Sequence, residues 1–225
     1  MRKTLITLMA LAGVAVANTA TLTLPGSEDF TWIAGSNANG IGTGASAEIV
    51  QQLATAITAT QIGNTDLVGW FGGSGQAYDA NSGYRSDISI TSSASFSFKC
   101  RLSLSGEYVA LGVALENAAD AITLSFTTNN QLGYSLWSYD GTTVTELIGN
   151  TFVGGAGDVS VTYDAAFVEP TQLFVVWTAN HPSGNAGDGQ TVEVSNIGIS
   201  YIPEPATATL SLLALAGLAA RRRRK

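Results

Sequence analysis

From residue 96 onward the chain alternates apolar and polar side chains with a period of two, and that period calls for extended strands with one face buried. Phe96, Phe98, Cys100, Leu102 and Leu104 fall on one side; Ser97, Lys99, Arg101 and Ser103 fall on the other. Val109, Leu111, Val113 and Leu115 repeat the pattern after Ser105-Gly106-Glu107, so the two segments are predicted to pair as a hairpin. Ile122, Leu124 and Phe126 alternate with threonines and serine. The segment from Tyr134 to Tyr139 runs into Asp140-Gly141, a hairpin-turn dipeptide, and returns through Val144 to Leu147. Val159, Val161 and Tyr163 make a further strand. Leu173-Phe174-Val175-Val176-Trp177 is apolar on both faces, the mark of a central strand. In the last strand, Thr191 to Tyr201, Val192 and Val194 have one parity and Ile197, Ile199 and Tyr201 the other. A β-bulge near Ser195-Asn196 would bring both sets to one face.

The N-terminal third is less regular. Ala20 to Leu24 reads as a short strand. Ser46 to Ile57 reads as a helix, with Ser46 as its cap, Glu48 in the first turn, and Ile49, Leu53 and Ile57 four residues apart. Asn64 to Gly75 reads as a glycine-rich loop around Trp70-Phe71. Short strands at even spacing, rich in Ser, Thr and turn residues, predict an all-β, antiparallel, jelly-roll-like sandwich with one short helix near its start. No internal repeat is present, which argues against a β-solenoid and against a regular ice-binding threonine array.

The two ends of the chain do not belong to this pattern. Arg2 and Lys3 precede an apolar run from Leu5 to Val16, and Ala15-Val16-Ala17 has the small-x-small form of a signal-peptidase site, so residues 1–17 read as an export signal. At the other end Pro203-Glu204-Pro205 precedes an apolar run from Ala206 to Ala220 and the basic block Arg221, Arg222, Arg223, Arg224 and Lys225. Fifteen helical residues reach roughly 22 Å, short of the ~30 Å hydrocarbon core, which suits a transient anchor more than a permanent span. The basic block holds that end in the cytoplasm. Residues 203–225 resemble the PEP-CTERM protein-sorting signal of bacteria, in which these three parts occur in this order. The resemblance implies recognition of the Pro-Glu-Pro motif by an exosortase-type processing enzyme, membrane attachment through the apolar segment before processing, and delivery to the envelope, cell surface or extracellular matrix. It implies nothing about the body, residues 18–202.

Between Asn18 and Ile202 there are three basic residues (Arg85, Lys99 and Arg101) and sixteen acidic ones, a net charge of −13. Such a body does not attract nucleic acid or anionic lipid. Cys100 is the one cysteine in the chain, so no internal disulfide can form, and its parity places it on the core face. His181 is the one histidine. A Ser-His-Asp triad would need it together with Ser74 in Gly72-Gly73-Ser74-Gly75-Gln76, which lacks the second glycine of a nucleophile elbow. Glu107, Glu116, Glu146, Glu169 and Glu193 could supply a glycosidase pair, but no pairing follows from the sequence. Asn180, Asn185 and Asp188 sit in a glycine-containing loop as weak calcium candidates, without the acidic density of a calcium loop. No cofactor is implied.

Aromatic residues are the remaining pointer to a ligand. Trp137 and Tyr139 have the parity opposite to Tyr134 and Leu136, so they face outward if Leu136 faces the core, where sugar rings could stack. Trp70 and Phe71 are a second such pair; the competing reading places these aromatics in the core. The expectation is an exported, surface-sorted structural or adhesive protein of an extracellular polysaccharide matrix, and not an enzyme. The first alternative is a carbohydrate-binding module using exposed aromatics; the second is a glycan-acting enzyme.

Overall fold

The computed structural model describes residues 19–28, 30–32, 68–73, 88–100, 108–115, 118–140, 143–167, 171–178, 180–181 and 183–203. The predicted helix, the export signal and the sorting signal beyond Pro203 lie outside the described residues. In chain order the strands are β1 (Ala20–Thr21), β2 (Phe30–Trp32), β3 (Gly69–Gly73), β4 (Ile88–Ser92), β5 (Ser95–Lys99), β6 (Tyr108–Leu115) and β7 (Ala119–Thr128). They continue as β8 (Leu132–Tyr139), β9 (Val144–Val153), β10 (Gly157–Phe167), β11 (Thr171–Thr178), β12 (Asn180–His181), β13 (Gly184–Asn185) and β14 (Thr191–Pro203). No helix among the described residues is long and apolar enough to cross a membrane.

Two six-stranded sheets face each other as a β-sandwich. The first has the order β10-β7-β14-β5-β4, with β1 added along β14; the second has the order β2-β3-β6-β11-β8-β9. All pairs are antiparallel except β2 with β3. β12 and β13 form a separate two-residue hairpin.

Period-two patterning explains the core. Phe96, Phe98, Ile122, Leu124 and Phe126 from the first sheet meet Leu111, Val113, Leu136, Val175 and Trp177 from the second, and all ten are buried in one cluster. Cys100 joins them at 0% exposure. β11 lies between β6 and β8, as its two-faced apolarity predicts. The bulge in β14 is where the parity change places it. Ser195 pairs with Thr127 and Gly198 with Ser125, so the register shifts between them. Asn196 absorbs the shift at φ 54°, a left-handed conformation that asparagine tolerates better than most residues. Val192, Val194, Ile197, Ile199 and Tyr201 then all reach the core.

Two expectations are corrected. Residues 96–99 and 109–115 do not form a hairpin: β5 pairs with β4 and β14, whereas β6 pairs with β3 and β11 in the other sheet. Each carries an apolar face, and facing each other across the core buries those faces better than lying side by side. The glycine-rich segment around Trp70-Phe71 is a strand. Gly72 allows it to sit there, because a Cβ at that position would come within 3.0 Å of both Ile88 Cδ1 and Phe30 Cε2.

The second sheet is buried on both sides. Phe71, Tyr108, Phe174, Val176 and Trp137 point away from the core cluster, yet none is more than 4% exposed.

Asn196→Val places a β-branched residue in the left-handed region and should cost about 1–2 kcal/mol in urea unfolding, while Asn196→Gly should stay near wild type. A second expectation concerns alkaline pH. Burial raises the Tyr134 phenol above its usual range, opposed by a side-chain hydrogen bond with Thr151. The folded state therefore favours the neutral phenol, so its contribution is intact below the unfolded phenol pKa of about 10 and is lost as pH climbs toward the folded value. In unfolding titrations Tyr134→Phe should show a shallower alkaline loss of stability than wild type.

Candidate functional site

The site lies between two edge strands. β9 ends the second sheet and β10 ends the first. At one end they are joined through Gly154-Gly155-Ala156, so the sheets are held together there. Toward residues 144 and 167 the inner faces of β8, β9, β10 and β11 line a pocket of about 310 Å³.

Phe167 and Thr171 form its floor, at 6% and 7% exposure. Ser138, Leu147 and Tyr163 are half-buried walls. Asp140, Thr143, Thr145 and Ala166 form an exposed rim.

Local irregularities in the ladders place these side chains. The β8–β9 register shifts between Leu136/Ile148 and Trp137/Glu146, which brings Leu147 inward beside Ile148. The β10–β7 register shifts between Asp164 and Phe167, which turns Phe167 into the floor opposite Ala119. Tyr163 and Phe167 then lie with ring centroids 5.9 Å apart and planes tilted by 57°. Asp140 is fixed by the turn: its Oδ1 accepts the Thr143 N–H at 2.7 Å, and its own N–H donates to the Thr143 carbonyl at 3.3 Å. The Asp140-Gly141 hairpin is thus formed, with Tyr139 opposite Val144, while residues 141–142 lie outside the described residues.

The pocket combines aromatic and aliphatic surface with five hydroxyls, one of them the Tyr163 phenol, and one carboxylate. Hydroxyls both donate and accept, and a carboxylate only accepts. Such a set can hold a polyhydroxylated ligand by its C–H face and its hydroxyls together. Asp140 is the single carboxylate among the described lining residues.

The aromatic residues singled out from the sequence lie elsewhere. Trp70 at 0%, Phe71 at 4% and Trp137 at 3% exposure offer no face to solvent. Parity correctly set Trp137 apart from Leu136, but the sheet is covered on that side as well, and the Trp137 indole N–H donates to Ser135 Oγ at 2.8 Å. Tyr139 is half-buried at the end of the same strand. Trp70 packs in the core, stacked at 6.4 Å on Trp177, and donates its indole N–H to the Pro25 carbonyl.

The weak calcium candidates build a turn. Asn185 Oδ1 accepts the Gly187 N–H at 3.0 Å, and the Gly189 N–H beside Asp188 donates to the Cys100 carbonyl at 2.7 Å. Among the described residues no group of three His, Cys, Asp or Glu side chains could hold a metal ion. His181 accepts the Ser183 N–H on Nδ1 and stacks on Phe152 at 5.1 Å, which accounts for its place without a catalytic partner. Pro203 is the last residue of β14, half-buried and opposite Ala119, so the strand runs one residue into the Pro-Glu-Pro motif. Glu204, Pro205 and Arg221 to Lys225 lie outside the described residues.

No protein-family model and no curated protein matches the chain. Among solved structures it is similar to a CBM4 domain, at 15% identity and a TM-score of 0.40 over 63% of this chain and 90% of that one. It is also similar to the N-terminal cellulose-binding domain of the Cellulomonas fimi β-1,4-glucanase C, at 17% identity and a TM-score of 0.37 over 52% of this chain and 84% of that one. The CBM22-1 xylan-binding domain of Paenibacillus barcinonensis Xyn10C follows at 10% identity and a TM-score of 0.34, over 61% of this chain and 88% of that one. At these identities and scores none of the likenesses assigns a ligand to this chain.

Because Trp137 is packed and hydrogen-bonded, Trp137→Ala should destabilise the protein by about 3–5 kcal/mol in denaturant unfolding. Trp137→Phe should leave the acrylamide-accessible fraction of tryptophan fluorescence unchanged; a marked fall in that fraction would place the Trp137 ring in solvent.

Proposed function

We propose that the chain is an exported, tail-sorted β-sandwich that binds polysaccharide without cleaving it, as an adhesive component of an extracellular matrix. The pocket between β9 and β10 is the observation that carries this reading: Tyr163, Phe167 and Leu147 offer apolar surface beside the hydroxyls of Ser138, Thr143, Thr145 and Thr171. Its volume lies at the lower end of ligand pockets, with room for roughly one or two sugar rings. Glycoside hydrolysis by the common routes needs two carboxyl groups across the bond, and Asp140 stands alone among the described lining residues. Binding without turnover is therefore the better-supported chemistry. The sugar site is assigned to this pocket and no longer to exposed aromatics on β3 and β8.

The test is retention of the full chain on immobilised polysaccharides. Thr145 is an exposed rim residue, and Thr145→Arg puts a long side chain across the mouth without disturbing the core. Retention should fall at least about tenfold, a loss of ~1.4 kcal/mol. Ser160→Ala, on the exposed outer face of β10, should change nothing. Equal retention of both variants would remove the pocket from the function.

Sorting is proposed from the sequence of the tail. It fits the last described strand: β14 ends at Pro203, and proline cannot donate to a further ladder. Replacing Pro203-Glu204-Pro205 by alanines should leave export intact and block processing, so the unprocessed form accumulates in the membrane fraction. A mutant processed and displayed like wild type would reduce the tail to a plain anchor.

A further inference from the structure

We propose that the outer face of the second sheet is the docking surface for residues 46–57 of the same chain, which cover it as an amphipathic helix. The proposal stands on chain topology and does not depend on the sugar-binding reading.

The face is apolar and continuous. Ser135, Val176, Ala110 and Phe71 line up as one row across β8, β11, β6 and β3; Trp137, Phe174, Gly112 and Gly69 form the next. These positions point away from the core because their strand neighbours Leu136, Val175, Leu111 and Trp70 point into it. Phe71, Ala110, Ser135, Trp137, Phe174 and Val176 are each 4% exposed or less. The small Ala110 and Gly112 run between Phe71 on one side and Phe174 and Val176 on the other, a low strip that lets a helix lie close. The β12–β13 hairpin covers the neighbouring row, where a Cβ on Gly133 would come within 2.9 Å of His181 Cδ2. Every other described strand belongs to one of the two sheets, so the cover of the remaining rows is not a described strand.

Connectivity names the segment. β2 and β3 are parallel neighbours, with Phe30 opposite Trp70 and Trp32 opposite Gly72. The chain leaves this pair at Trp32 and must return to its opposite end to enter Gly69. Parallel neighbours need such a crossover, usually a helix. The inner face is closed to it, since Trp70 packs at 5.7 Å against Phe96 of the first sheet. The outer face is left, and residues 33–67 are the link. Other long stretches outside the described residues begin or end at the first sheet: 74–87 leads to β4, 101–107 leaves β5, 1–18 leads into β1 and 204–225 leaves β14.

The link carries one element that matches the face. Ile49, Leu53 and Ile57 make an apolar stripe with Val50 beside it, and Gln51 and Thr55 fall on the opposite side. A helix over Ser46 to Ile57 is roughly 18 Å long. The two rows lie roughly 7 Å apart along their strands, so one such stripe spans both.

The experiment uses the full chain in mild detergent, with a diazirine analogue of leucine in place of Leu53 and, as control, in place of Gln51. On irradiation the probe at residue 53 should form intrachain crosslinks to residues 108–112, 133–137 or 172–176, several times more than the probe at residue 51. Any other pattern overturns the proposal: no crosslink to the second sheet, equal yields from both positions, or crosslinks between chains, which would give the face to a second copy. Fluorescence supplies an independent readout. Leu53→Asp should raise the acrylamide-accessible fraction of tryptophan fluorescence, the rise should vanish when Trp137→Phe is added, and Gln51→Asp should leave the fraction unchanged. An equal rise in Gln51→Asp would overturn the proposal. Should Leu53→Asp fail to fold, the crosslinks decide.

Discussion

The sandwich depends on one aromatic side chain packed across the two sheets. Trp177 of β11 lies 5.1 Å from Phe96 of β5 and 5.9 Å edge-on from Phe126 of β7, and it stacks at 6.4 Å on Trp70 of its own sheet. Its indole N–H has no hydrogen-bond partner among the described residues. Magnitudes decide whether that matters. Burying about 200 Å² of aromatic surface is worth ~5 kcal/mol, against about 1–3 kcal/mol for an unmet buried donor. Burial wins, and with the single cysteine unable to bridge, packing of this kind is what holds the sheets face to face.

The pocket follows from the same arrangement. Bulky rings at the centre fix the spacing of the sheets, and residues 154–156 join the two edge strands at the end away from the pocket. At the other end the inward side chains shrink to Ser138, Thr145 and Thr171, which cannot fill the gap that Trp177 and Phe126 fill further along. An opening lined by small hydroxylated residues is the geometric remainder. Its polarity is consistent with its position, since water reaches the rim.

Much of the body was legible in the sequence, because strand periodicity is a local property. The central position of β11, the burial of Cys100, the Tyr139–Val144 hairpin and the bulge at Asn196 each follow from residues within one or two strands. Three features did not. The pairing of residues 96–99 with β14 rather than with their successor depends on which faces meet across the core, and parity gives faces without partners. Trp137 failed for a related reason: parity set it off the core side correctly, but whether that side meets water depends on the rest of the chain. The pocket was invisible because its residues come from four strands, and only the stacking of the two sheets brings Ser138 and Tyr163 to one site.

The pairing of β1 with the end of β14 has a practical consequence. Ala20 lies opposite Tyr201, and Pro203 is level with Phe167 in the pocket floor, two strand spacings or about 10 Å away. Both ends of the described body therefore lie at the pocket end of the first sheet. A fluorophore, affinity tag or sensor chip attached where the body begins or ends would sit near the site it was meant to report on. The corner at Gly155 is the better handle: it lies at the far end of both edge strands, and a side chain added there meets nothing within 4 Å.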